Sequence, residues 1–184
     1  MEARQRLIDE LRSHALVVGE VVLTSGQVAQ YYVDAKRAIL RPAGFAALAE
    51  LVAARAREWE ATAVGGLTMG ADAPACAALA GGADVKAFFI RKETKQHGLQ
   101  RRIEGPFLDP DDRCLIVEDV VTTGGSTLQA IEAVREAGHP IAGVVTVLDR
   151  LAGGAERIRE AAAGAPYEAL ATIDDIYPER PDRR

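Results

Sequence analysis

The chain has 184 residues, 48% hydrophobic and 27% charged, a balance ordinary for a soluble globular protein and long enough for one domain with a sizeable core. Its 22 basic and 27 acidic residues leave a net charge of −5, which argues against nucleic acid as the main partner because such binding rests on a basic face. Cys76 and Cys114 both lie in apolar sequence and read as reduced, buried thiols of a cytoplasmic protein rather than a disulfide framework, and no stretch approaches a membrane span or a signal peptide.

Residues 3–13 read as an amphipathic helix with Leu7, Ile8 and Leu11 on one side. Two extended segments follow, VVGEVVLTSG at 17–26 and YYVDAKRAIL at 31–40, and complete a small N-terminal subassembly. Pro42 opens a long helix that turns Phe45, Leu48, Leu51 and Val52 inward and ends near Trp59, a packing residue. Short apolar strands are expected near 62–66, 85–91, 113–118, 141–148 and 167–173, with helices near 72–80, 126–137 and 153–163. Gly138-His139-Pro140 is a helix stop, and PERPDRR at 178–184 reads as a loosely ordered end. Strands alternating with helices predict an α/β protein with a parallel, doubly wound sheet and ligands at the carboxyl ends of its strands.

Residues 114–127, CLIVEDVVTTGGST, fall at such an end. Cys114 to Val117 form a short buried strand, and the glycines let the backbone fold into a nest whose N–H groups point at a phosphate. A helix starting at Ser126 or Thr127 turns its N-terminal dipole to the same anion. Glu118 and Asp119, placed between strand and nest, repel phosphate but accept hydrogen bonds from two ribose hydroxyls or hold a hydrated Mg²⁺. A ribose 5-phosphate satisfies both halves. The segment has neither the Gly-Lys-Thr/Ser ending of a Walker loop nor a Gly-x-Gly-x-x-Gly fingerprint.

Residues 91–105, RKETKQHGLQRRIEG, form a connection too long to be ordinary. From Arg91 to Arg102, Arg91, Lys92, Lys95, Arg101 and Arg102 stand against Glu93 alone among acids, with His97 in addition, and make a concentrated anion site in an acidic chain. Gly98 supplies hinge freedom for a closing lid.

These motifs carry a resemblance. RKETKQHG resembles the Arg-Lys-x-x-Lys-x-His-Gly loop of orotate phosphoribosyltransferases, and CLIVEDVVTTGGST resembles the loop with which type I phosphoribosyltransferases hold phosphoribosyl diphosphate (PRPP). LTSG…YYVDAKR is similar to the family's hood, GGLTMGADA to its pyrophosphate loop, and VTVLDR to the strand end whose arginine meets the pyrimidine carboxylate. The resemblance spans about Leu7 to Ile173 and implies a type I fold: a parallel five-stranded sheet flanked by helices, with a small N-terminal hood. The single domain, 1–184, would divide into a hood to about 40, a core from about 41 to 173 and a tail from 174 to 184.

The resemblance implies transfer of the ribose 5-phosphate of PRPP to orotate, with Mg²⁺, in a homodimer whose lids reach into the neighbouring site. Position by position, Lys95, His97 and Asp119 would be catalytic. Arg91, Lys92, Lys95 and His97 would meet the pyrophosphate, while Glu118 and Asp119 would hold the ribose hydroxyls and the hydrated metal. Val120, Val121, Thr122, Thr123, Gly124, Gly125 and Ser126 would complete the PRPP site. Thr122 and Arg150 would meet orotate, and the hood segment Thr24 to Val33 would close the base pocket. No residue would ligate the metal directly. The chain departs from the family's pattern at Thr24, where lysine is common, at Met69-Gly70, where Tyr-Lys is common, and at Gln96, where aspartate is frequent. Lys36, Arg37, Arg101 and Arg102 are candidate substitutes for the lost cations. Taken alone, Arg150 would cap the following helix region or pair with Asp149, and Tyr31 and Tyr32 would be hood core. A uracil- or purine-specific transferase and a nucleotide-sensing regulator are the alternatives; the first has no use for Arg150 as a carboxylate clamp, and the second calls for a broad basic face.

Overall fold

A computed structural model of the chain describes residues 2–22, 28–92 and 102–183. Helix α1 (Ala3–His14) buries Leu7, Ile8 and Leu11 as the sequence period predicts. Strands β1 (Leu16–Val22) and β2 (Val28–Val33) pair antiparallel, but the second extended segment stops at Val33, and Lys36–Ile39 turn into a short helix, α2. Ala38 and Ile39 of α2 are buried, so apolar residues that look strand-like in sequence serve one helical turn. Helix α3 (Pro42–Glu58) starts with Pro42 at its first turn and buries Leu48 and Val52, with Phe45 and Leu51 partly covered. Trp59 closes it by lying against Gly143.

The remaining elements are β3 (Ala63–Leu67), α4 (Asp72–Ala80), β4 (Lys86–Ile90), β5 (Ile103–Glu104), β6 (Cys114–Val121), α5 (Gly125–Glu136), β7 (Ile141–Asp149), α6 (Gly154–Ala162), β8 (Tyr167–Thr172) and α7 (Ile173–Ile176). The main sheet has the order β5-β4-β3-β6-β7-β8. Five strands are parallel, as expected; the sixth, β5, is a two-residue antiparallel edge pairing Phe89 with Glu104 and Ile90 with Ile103.

Strand alternation divides the core between the two faces. Leu115 and Val117 of β6 and Val145 and Val147 of β7 pack with α1, α3 and α4, whereas Cys114, Ile116 and Val144 pack with α5 and α6. Burial pushes the Cys114 thiol up to about 12, which makes it an inert core residue. Cys76, expected to be buried as well, is exposed on α4, because the face of that helix turned to the core is made by Ala75, Ala77 and Ala78.

The chain end is not loose. Thr172 and Asp175 form a capping box that starts α7, Arg4 reaches Asp175 at 3.0 Å, and Arg180, buried, pairs with Asp174. These contacts tie residues beyond 173 to α1 and to the hood.

Candidate active site

The carboxyl ends of the parallel strands converge on the segments that the sequence singles out. Strand β6 runs three residues further than expected, to Val121, with Glu118 paired in register to Thr146 and Val121 to Asp149. Glu118 and Asp119 are therefore strand residues, 5% and 7% exposed, rather than loop residues between strand and nest. Val120 and Val121 also lie within β6, and Val121 is packed into the core, so any ligand contact from it is through the backbone.

Each acidic residue is held by a different set of neighbours. Asp119 accepts a hydrogen bond from its own neighbour's backbone, Val120 N at 2.7 Å, and another from the ammonium of Lys36 at 2.9 Å. Lys36 is also 3.0 Å from Asp34. Burial alone would lower the Lys36 ammonium, but these hydrogen bonds outweigh it and hold the group above its ordinary range. Glu118 has an oxygen, Oε2, that is buried with no hydrogen-bond partner among the described residues. Burial, then the Asp119 carboxylate beside it, push Glu118 up to about 8.

The loop after β3 closes over this pair. A Cβ on Gly70 would stand 2.5 Å from Asp119 Oδ1 and run into Glu118 Oε1. Where the family commonly has lysine, this chain needs the absence of a side chain to let the loop approach the carboxylates. Beside that loop lies a cleft of about 580 Å³ lined by Thr68, Met69, Phe89, Arg91, Lys92 and Glu104. Arg91 and Lys92, the first residues of the basic run, thus both line it. Arg91 N donates to Arg102 O at 2.9 Å and pins the two ends of the long connection together. Arg102 is turned elsewhere, 3.9 Å from Glu136 of α5. Lys95, His97, Gly98 and Arg101 of the lid, and Thr24 to Gln27 of the hood, lie outside the described residues.

The glycine turn follows β6 directly. Helix α5 begins at Gly125, one residue earlier than expected, with Gly124 at its N-cap in the left-handed region (φ 80°) and no side chain capping it. A Cβ on Gly124 would also press Gly154 O at 3.1 Å and Ile158 at 3.2 Å, so the turn is seated on the start of α6. Arg157 of that helix donates to Thr123 O at 2.7 Å. The first N–H groups of α5 have no partner within the helix and, left without a side-chain cap, can take an anion's oxygens. Thr122 to Ser126 thus make a turn with uncapped N–H groups, beginning three residues beyond the buried pair Glu118 and Asp119.

Arg150 follows β7, its N–H bound to Val121 O at 2.9 Å, which sets it beside the end of β6. It does not pair with Asp149. That carboxylate accepts from Leu151 N at 2.8 Å and from the Tyr167 hydroxyl at 2.9 Å. The Arg150 guanidinium lies 4.9 Å over the ring of Tyr31 instead. Tyr31 is buried, as expected of hood core, whereas Tyr32, expected there too, is exposed, because successive residues of β2 face opposite sides. Lys36 was legible only as one of four spare cations, and Gly70 only as a departure; sequence holds no distance between either of them and Asp119.

Comparison with known proteins agrees with this geometry. A family model described as a phosphoribosyl transferase domain matches residues 37–163. The orotate phosphoribosyltransferase of Corynebacterium glutamicum (strain R) is 46% identical over 177 residues, covering 96% of this chain and 95% of that protein. The crystal structure of Mycobacterium tuberculosis H37Rv orotate phosphoribosyltransferase in complex with Fe(III) dicitrate is similar at a TM-score of 0.84 and 40% identity, over 95% of this chain and 98% of that one. A structure of the same mycobacterial enzyme in complex with PRPP gives a TM-score of 0.80 at 36% identity, over the same shares of the two chains.

Proposed function

The chain belongs to the orotate phosphoribosyltransferase family, and on that premise we propose that it transfers the ribose 5-phosphate of PRPP to orotate, forming orotidine 5′-monophosphate and pyrophosphate in pyrimidine (UMP) biosynthesis. The observation that carries the reading is the buried pair Glu118 and Asp119 directly ahead of the uncapped start of α5. Carboxylates suit ribose hydroxyls and the N–H cradle suits the 5-phosphate, so one ligand answers to both.

Displacement at the anomeric carbon passes through an oxocarbenium-like state while negative charge builds on the leaving pyrophosphate. The protein's contribution is therefore positioning and electrostatics rather than covalent chemistry. Glu118 and Asp119 orient the ribose, Thr122, Thr123, Gly124, Gly125 and Ser126 hold its 5-phosphate, and Arg91 and Lys92 meet the pyrophosphate, joined by Lys95 and His97 when the lid closes. Lys36, bound to Asp119, restores one cation in a chain with Thr24 and Met69-Gly70 where its family commonly has lysines. Thr122 and Arg150 orient orotate, the guanidinium by a charge-assisted pair with the carboxylate.

Mg²⁺ fits this site, because the unpartnered Glu118 Oε2 can accept a hydrogen bond from the water of a hydrated ion beside the Asp119 carboxylate. Bound with PRPP, the ion would neutralise charge on the pyrophosphate. We take the working form as a cytoplasmic homodimer in which each lid completes the neighbouring site.

The test is pyrophosphate release from PRPP and Mg²⁺ with orotate, uracil, adenine and hypoxanthine supplied in turn. Release with orotate alone is expected, and a preference for a neutral base would remove the role given to Arg150. Omission of the metal should abolish release.

A further inference from the structure

Resting on the reading of Arg150 as the orotate contact, we propose that the C-terminal segment from Tyr177 to Asp182 positions the base pocket, acting on Arg150 through the ring of Tyr31. The Tyr31 hydroxyl donates to Asp182 at 2.9 Å across most of the chain's length. Its ring meets that of Tyr177 edge-on, with centroids 5.4 Å apart and planes at 81°. Asp182 is itself held by Arg180, 3.2 Å away, and Arg180 is buried and paired with Asp174 of α7. Tyr31 is thus fixed at its hydroxyl and along its ring by residues beyond the last strand, and its face carries the Arg150 guanidinium at 4.9 Å.

The arrangement has a chemical purpose. No carboxylate pairs with Arg150 among the described residues, and its Nε is buried without a partner. Asp149, its neighbour, is occupied by Leu151 and Tyr167. A guanidinium held over an aromatic face leaves its N–H donors free for a bidentate carboxylate, whereas an ion pair would consume them. The orientation of Arg150 is then set by how firmly Tyr31 is held. Asp182 is more than half exposed, so its ion pair with Arg180 contributes little to folding, and its bond to Tyr31 is the feature that reaches the site.

Tyr31, Asp182 and the segment after Tyr177 are positioning residues, and KM for orotate is the quantity they move. Asp182→Ala and Tyr31→Phe should each raise KM for orotate roughly fivefold, the worth of one ordinary hydrogen bond, with KM for PRPP within about twofold of wild type. Because both remove the same bond, the double variant should be no worse than either single one. Asp182→Asn, which keeps an acceptor oxygen, should restore KM for orotate, and a chain ending at Pro178 should behave like Asp182→Ala. A fall in thermal midpoint with KM for orotate unchanged would overturn the inference, as would additive defects, failure of Asp182→Asn to recover, or a parallel rise of both KM values. Wild-type protein that does not turn over orotate would overturn the reading of the site itself, and is distinguished from these outcomes before any variant is made.

Discussion

Glu118→Gln should make the protein more stable at alkaline pH while impairing its use of PRPP. In the folded chain burial, and then Asp119, raise Glu118 from 4.5 to about 8. Between these values the folded state holds one proton more than the unfolded state, so the stability tied to this site is full below 4.5 and is lost as pH rises through about 8. At about 1.4 kcal/mol per unit, a shift of this size sets an upper bound of several kcal/mol. About half of it is expected, roughly 2–3 kcal/mol at pH 8.5, because glutamine must itself be desolvated. In a chain of this length that is a gain of about 5–10 °C in Tm, vanishing near pH 4.5 where both side chains are neutral. Thermal unfolding of both proteins across this pH range measures the difference directly, since all other titrations cancel. Lys36 stays charged throughout, held by Asp119 and Asp34. Parallel pH profiles for the two proteins would refute the reasoning, because they would mean that Glu118 is ionised at no cost. A stable but inactive variant would show the pair to be kept for ligand binding at the expense of folding.

Gly70→Ala puts a methyl group 2.5 Å from Asp119 Oδ1 and against Glu118 Oε1, so KM for PRPP should rise about tenfold, with a destabilisation of about 1–3 kcal/mol read by urea unfolding; an unchanged KM would place the loop elsewhere. Lys95→Ala should lower kcat on the order of a hundredfold with little change in the Kd of PRPP, because its charge meets charge that grows in the transition state; unchanged turnover in steady-state assay would remove Lys95 from catalysis. Arg150→Ala should weaken orotate by roughly 2–4 kcal/mol and leave PRPP binding intact in titration calorimetry. Mixing the inactive Lys95→Ala and Arg150→Ala proteins should regenerate roughly a quarter of wild-type activity, since random exchange makes half the dimers mixed and each mixed dimer has one whole site. No recovery after confirmed subunit exchange would argue against a shared site.

The order of elements was legible because strand and helix periods differ and because the punctuation is strong: Pro42 opens α3, and Gly138-His139-Pro140 separates α5 from β7. The cradle from Thr122 to Ser126 was legible for the same local reason, since a turn, a helix start and an acidic pair follow one another along the chain. Local patterning misjudged the reach of β6, as the register with β7 carries the ladder through Glu118 and Asp119 to Val121. It also took Asp182 and its neighbours for a loose end, because seven residues rich in proline and charge hold no sign of a partner.

The amino-acid sequence by itself determined the fold and the reaction class and singled out the residues proposed for the anion chemistry, all written in short contiguous motifs. Tertiary structure alone decided that Lys36 meets Asp119, that Gly70 must lack a side chain, that Cys76 faces outward and that Arg150 rests on Tyr31 rather than on Asp149. Lys36 and Asp119 stand 83 residues apart and Tyr31 and Asp182 151 apart. Contacts at such separations are set by how the hood, sheet and chain end pack together, and no local period or turn signal encodes a distance between them.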